Sequence, residues 1–170
     1  MSSLTLSLSS MWFRVFVVIS TMLLLAFAQD EEEEEENAPR LLVVDDAPSV
    51  RKLLCRLLGK RGYLCDQAEN GVQAVEMVQH NDSYAAVLLD YEMPQRNGPE
   101  AAQIMREELH YKGFIVGITG NLLHEDVSYF LDCGADSVLA KPLKMPELEA
   151  LFVQHGVVAV KKKKQQQQQP

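Results

Sequence analysis

Two carboxylates stand side by side where an apolar run ends, Leu41-Leu42-Val43-Val44-Asp45-Asp46, and the same punctuation recurs three more times. Ala85-Ala86-Val87-Leu88-Leu89 stops at Asp90, Phe114-Ile115-Val116-Gly117-Ile118 stops at Thr119, and Ser137-Val138-Leu139-Ala140 stops at Lys141-Pro142. Carboxylate oxygens are the hard donors a divalent cation takes. A hydroxyl and an ammonium can both donate to phosphoryl oxygens. Gathered in one crevice, three Asp, one Thr and one Lys would serve a metal ion and a phosphoryl group. Taken singly, each has a plainer use: Asp45 or Asp46 as a helix N-cap, Thr119 as the cap of the next helix, Lys141 as a surface lysine.

The elements that must gather them follow from the hydrophobic pattern. Short apolar runs without polar alternation predict strands buried on both faces, the mark of a parallel sheet. Side chains at the carboxyl ends of such strands share one crevice, where open α/β sheets place their ligands. A further strand is predicted at Tyr63–Gln67.

Between these runs lie helical periods. Val50, Leu53, Leu54, Leu57 and Leu58 recur after Pro48 and before Gly59 and Gly62. Asn70-Gly71 signals a turn before Val72, Val75, Met77 and Val78. The breaker-rich loop Met93-Pro94-Gln95-Arg96-Asn97-Gly98-Pro99 precedes a helix over Pro99–Leu109. Another helix is predicted over Leu122–Asp132, stopped by Gly134, and a last one from Pro146 to His155. This βαβαβαβαβα order predicts an α/β fold, a doubly wound five-stranded parallel sheet of the flavodoxin-like kind, a (βα)5 three-layer sandwich.

The chain of 170 residues divides into residues 1–28, 29–39, 40–155 and 156–170. Residues 40–155 carry 17 Asp/Glu against 11 Lys/Arg, so this domain is acidic and nucleic acid is not expected as its partner. Asp30 and Glu31 to Glu36 form an acidic spacer, and Lys161 to Lys164 lead a Gln-rich low-complexity tail. Cys55, Cys65 and Cys133 show no paired spacing and read as reduced, packed thiols. His80, His110, His124 and His155 lie in no metal or phosphoacceptor motif and read as solvent-facing.

Residues 1–28 pull differently. Arg14 precedes the apolar stretch Val15–Ala28, which ends in Ala26-Phe27-Ala28. That is a signal or targeting segment, a membrane anchor over residues 11–28, or a misassigned start.

Residues 40–155 resemble the receiver domain of the two-component response-regulator family. Asp45-Asp46, Asp90 with Met93-Pro94 and Asn97-Gly98, Thr119-Gly120, Gly134-Ala135-Asp136 and Lys141-Pro142 carry the resemblance, in order and each at its strand end or following loop. It implies a phosphoryl acceptor at Asp90, with Thr119 and Lys141 contacting the phosphoryl oxygens. It also implies Mg²⁺ (or Mn²⁺) held by Asp45, Asp46, Asp90 and the backbone carbonyl of Glu92, and a cis peptide before Pro142. The expected role is a stand-alone receiver, not an enzyme. It would be fed by a histidine kinase or histidine-phosphotransfer protein and would signal by protein–protein contact from an ATP-containing side of any membrane.

Two departures bear on this. Val138 stands where the family usually has an aromatic, and Arg96 where the Met-Pro loop is more often apolar. Two other functions compete. A haloacid-dehalogenase-like phosphatase also combines Asp, Thr and Lys, although there the nucleophile comes first and here Asp90 follows the acidic pair. An exported, unphosphorylated receiver-like binding module is the other.

Overall fold

The computed structural model describes residues 16–25 and 38–159. Residues 16–25 are helical and fall in a unit separate from the one beginning at Ala38. Among the described residues, no helix is long and apolar enough to cross a membrane. The remaining described residues alternate strand and helix without exception. They run β1 (Arg40–Val44), α1 (Pro48–Gly59), β2 (Leu64–Ala68), α2 (Gly71–His80), β3 (Ala86–Asp90), α3 (Gly98–Glu107), β4 (Phe114–Thr119), α4 (His124–Asp132), β5 (Ser137–Ala140) and α5 (Met145–Gln154).

All five strands are parallel, in the order β2-β1-β3-β4-β5. The expected flavodoxin-like three-layer sandwich is therefore the observed one. The chain reverses its direction of winding after β2, so β1 and β3 lie side by side at the centre. The crevice opens at their carboxyl ends.

The apolar runs sort into two cores by side-chain parity. Leu41 and Val43 of β1, Ala86 and Leu88 of β3, and Phe114, Val116 and Ile118 of β4 pack with Leu54 and Leu58 of α1 and Leu148 and Phe152 of α5. Leu42, Val44, Val87, Leu89 and Ile115 face the other way, against Ala74 and Val78 of α2, Ala101, Ala102 and Met105 of α3, and Phe130 of α4. Both faces of β1, β3 and β4 are thus covered, which is why these strands need no polar alternation.

The run Ser137–Ala140 departs from that expectation. Its four residues are only half-buried, because β5 is an edge strand. Other boundaries move by a residue or two. Tyr63 belongs to the turn out of α1, where its amide bonds to the Leu58 carbonyl, and β2 begins one residue later. Helix α4 starts at His124 rather than Leu122, leaving Leu122 and Leu123 exposed. Helix α3 starts at Gly98, because Asn97 caps it by accepting from the Glu100 amide at 2.9 Å, and ends at Glu107 rather than Leu109. Gly134 stops α4 as expected, with φ +104, a conformation open chiefly to glycine.

Candidate functional site

β1 and β3 end side by side, and their last residues bring the carboxylates together. Asp45 and Asp90 are each 3 % exposed, whereas Asp46 is open to solvent. One oxygen from each of Asp45, Asp46 and Asp90 lies within 4.8 Å of the others. The sequence places Asp90 44 residues beyond Asp46; the parallel register of β1 against β3 joins it to the acidic pair.

Lys141 arrives from the end of β5. Its Nζ donates to Asp90 Oδ2 at 2.7 Å and to Asp45 Oδ2 at 3.1 Å. Burial pushes the Asp90 carboxyl above its ordinary range; the Lys141 ammonium opposes this and the Asp45 charge adds to it. Desolvation works against the charge on Lys141, yet its bonds to Asp90 and Asp45 outweigh it and raise the ammonium's pKa. The cation is therefore fixed in its charged form between two buried acids. The Lys141–Pro142 peptide is cis, as the resemblance implied.

Neither capping alternative is realised. Asp45 Oδ1 accepts from the Ala47 amide at 2.9 Å, closing a turn before α1, whose N-cap is Ala47 without a side-chain cap. Thr119 lies buried at the end of β4, but its hydroxyl is engaged in its own loop. It donates to the Asn121 carbonyl at 3.0 Å and accepts from the Asn121 amide at 3.1 Å. Helix α4 takes Leu123 as its N-cap instead. Glu92 is exposed and lines an open depression with Asp46, Asp90, Met93, Pro94 and Lys141. Its polar walls and open mouth suit a hydrated ion and a small anionic group rather than an apolar ligand.

Three further residues shape the site. Arg51, in the first turns of α1, donates from Nη1 to the Asp45 carbonyl at 2.6 Å and to the Asp46 carbonyl at 3.1 Å. It ties down the backbone that carries both acids. Gly98 lets the loop after β3 fold back on its own strand; a Cβ there would stand 2.2 Å from the Asp90 carbonyl oxygen. Tyr91 packs edge-on against Phe130, with ring centroids 5.5 Å apart, just behind Asp90. Arg51 was legible only as a basic residue on a helix, and Gly98 as part of the Asn97-Gly98 pair that carries the resemblance, without the close approach that requires a glycine there.

The two departures also have places. Val138 sits opposite Gly117 in the β4–β5 ladder and packs into the core on the α2–α4 side. Arg96 contributes backbone rather than side chain to the loop. Its carbonyl accepts from the Gly71 amide at 3.2 Å and so rests the Met-Pro loop on α2.

Residues 41–152 match the family model described as response regulator receiver domain. The chain belongs to that family. Hybrid signal transduction histidine kinase F of Dictyostelium discoideum is 40% identical over 118 residues, covering 66% of this chain and 11% of that one. Response regulator MprA of Mycobacterium ulcerans (strain Agy99) is 38% identical over 111 residues, 65% of this chain and 47% of the relative. The chain thus spans about a tenth of the first of these relatives and about half of the second. Among solved structures, response regulator TrrA of Thermotoga maritima, in complex with Mg²⁺ and BeF, aligns at TM-score 0.62 and 32% identity. That alignment covers 69% of this chain and 98% of TrrA. Residues 41–152 therefore form a receiver domain of two-component phosphorelay signalling, a signalling module rather than a classical enzyme.

Proposed function

We propose that Asp90 accepts a phosphoryl group from a phosphohistidine partner, a histidine kinase or histidine-phosphotransfer protein, and that the phosphorylated domain signals by protein–protein contact. The observation carrying this is the Lys141 ammonium at 2.7 Å from Asp90 and 3.1 Å from Asp45, beside a third carboxylate. A phosphoryl group approaching Asp90 meets a carboxylate, and like charges repel. The site answers with one fixed cation and a donor set that fits a hard divalent ion. Mg²⁺ (or Mn²⁺) would be held by Asp45, Asp46, Asp90 and the Glu92 carbonyl, and when bound would neutralise charge on the transferring phosphoryl oxygens.

The chain's own groups then divide the work. An Asp90 oxygen attacks phosphorus in line with the departing histidine nitrogen, forming the aspartyl phosphate. Lys141, released in part from Asp45, donates to a phosphoryl oxygen as a point charge. Thr119 would exchange its Asn121 contacts for a phosphoryl oxygen. The net acidity of the domain speaks against a nucleic-acid partner. TrrA, whose complex holds Mg²⁺ and BeF, supports the metal assignment by kinship.

Acetyl phosphate with Mg²⁺ tests the reading. Intact mass should rise by one phosphoryl group that hydroxylamine removes, and Asp90→Asn or Asp90→Ala should abolish it. Equal labelling of the Asp90→Ala protein would move the acceptor elsewhere.

A further inference from the structure

Cys55 and Cys65 are ten positions apart in sequence, and the spacing alone does not pair them. The fold does. Cys55 lies on the face of α1 that covers the sheet, and Cys65 is the second residue of β2, opposite Leu41 in the ladder. Both side chains pack beside the same apolar cluster of Leu41, Leu54 and Leu58, and the two thiols are close enough that each is the strongest influence on the other's titration. β2 is an edge strand, and both cysteines are half-buried, neither of them fully enclosed in the core. Cys133 is separate and buried near the end of α4.

We propose that Cys55 and Cys65 form a redox-modification site, closing to an intramolecular disulfide between α1 and β2 when a hydroperoxide is the oxidant. The Cys55 sulfur attacks one peroxide oxygen; an S–O bond forms, the O–O bond breaks, and the second oxygen leaves with a proton as water or alcohol. The Cys65 thiol then gives up its proton and attacks the Cys55 sulfur. The S–S bond forms, the S–O bond breaks, and hydroxide leaves as water. The two sulfurs lose two electrons, and the peroxide gains them.

The division of roles follows from surroundings. The neighbouring Cys65 thiol holds the Cys55 thiol below its ordinary pKa, helped by Arg51, against burial and the Asp66 charge. The adjacent Cys55 thiol, with burial and the charge that would develop on Cys55, raises Cys65. Cys55 is therefore the attacking sulfur and Cys65 the resolving one.

The test uses the reduced full-length chain and a small molar excess of hydrogen peroxide, followed by quenching, unfolding and alkylation with N-ethylmaleimide. The expected product carries a single alkyl group, on Cys133, and is lighter by two hydrogens before alkylation. A non-reducing tryptic map should join Leu53–Arg56 to Gly62–Arg96, and dithiothreitol should separate them. Cys65→Ser should trap Cys55 as a sulfenic acid that dimedone captures, while Cys55→Ser should leave Cys65 alkylatable at the same dose. Three alkyl groups on the treated wild type, oxygen added to Cys55 without a cross-link, or a disulfide between chains through Cys133 would each overturn the proposal. The wild-type map decides the matter even if a variant fails to fold.

Discussion

Asp90 is held almost out of water between an acid and an ammonium, and that balance has consequences before any ligand arrives. Burial and Asp45 raise its carboxyl above the ordinary range, so the unfolded chain loses this proton at a lower pH than the folded one. Ionised Asp90 therefore costs the metal-free fold stability, a cost absent in acid and growing as pH rises past the ordinary carboxylate range. Asp90→Asn should stabilise the metal-free protein by on the order of 1 kcal/mol near neutral pH, as read by urea denaturation. The gain should vanish in acid, where the wild-type carboxyl is already protonated; a gain that persisted there would have another source. Asp46 plays the opposite part. Its side chain is exposed and makes no hydrogen bond among the described residues, so Asp46→Ala should leave stability within about 0.5 kcal/mol while weakening Mg²⁺ binding roughly tenfold or more by calorimetric titration. An unchanged titration in the Asp45→Ala, Asp46→Ala double variant would place the ion elsewhere. Residue types at the site were readable in the sequence because each closes an apolar run. The direction of the Thr119 hydroxyl was not, since a rotamer is chosen by its neighbour, here Asn121. Nor was the grip of Arg51 on the Asp45 and Asp46 carbonyls, which depends on how α1 leaves the sheet.

Among the elements, β4 and α4 are matched to each other at one point. Gly117 in β4 has no room for a Cβ, which would stand 2.5 Å from the Phe130 ring, and Phe130 is fully buried. The bulk that fills the sheet face here comes from the helix, with Val138 alongside from β5. Gly117→Ala should destabilise by about 1–3 kcal/mol through overpacking, and Phe130→Ala by about 3–5 kcal/mol through the cavity it leaves. In Gly117→Ala combined with Phe130→Leu, the two changes should offset one another. A double-mutant cycle by chemical denaturation should show coupling of at least about 0.5 kcal/mol, and strict additivity would mean the ring yields freely. This matching explains what the sequence left hidden at the element scale. Strand existence, order of elements and helix faces were legible, because burial on two faces requires unbroken apolar runs and burial on one face a helical stripe. The half-burial of β5 was not, because Ser137–Ala140 reads like the central strands and only the sheet order makes it an edge. Helix α4 begins at His124, two residues later than its apolar start suggests, and Leu122 and Leu123 before it stand in solvent.

At the scale of the whole chain, the receiver domain and residues 1–28 make opposing demands. On the proposed function, aspartyl phosphorylation draws on a relay fed by ATP, which calls for residues 40–155 to meet a compartment that contains it. The N-terminal stretch is apolar, and where it is described, at residues 16–25, its helix exposes Phe16, Met22, Leu23, Leu24 and Leu25 to solvent. Exposed apolar side chains in that density cost free energy in water, and a membrane or a targeting receptor would relieve it. We propose that residues 11–28 anchor or target the chain while residues 40–155 stay on the ATP-containing side. A tagged full-length chain should then resist carbonate extraction or reach an organelle, and protease added outside sealed membranes should spare or cut the domain according to that side. Deleting residues 1–28 should release the domain into the soluble fraction with its acetyl phosphate labelling at Asp90 unchanged. Secretion of a chain beginning near Gln29 would separate the domain from any phosphodonor and favour an unphosphorylated binding module. A wholly soluble full-length chain would remove the anchor and leave the chemistry of Asp90 standing on its own test.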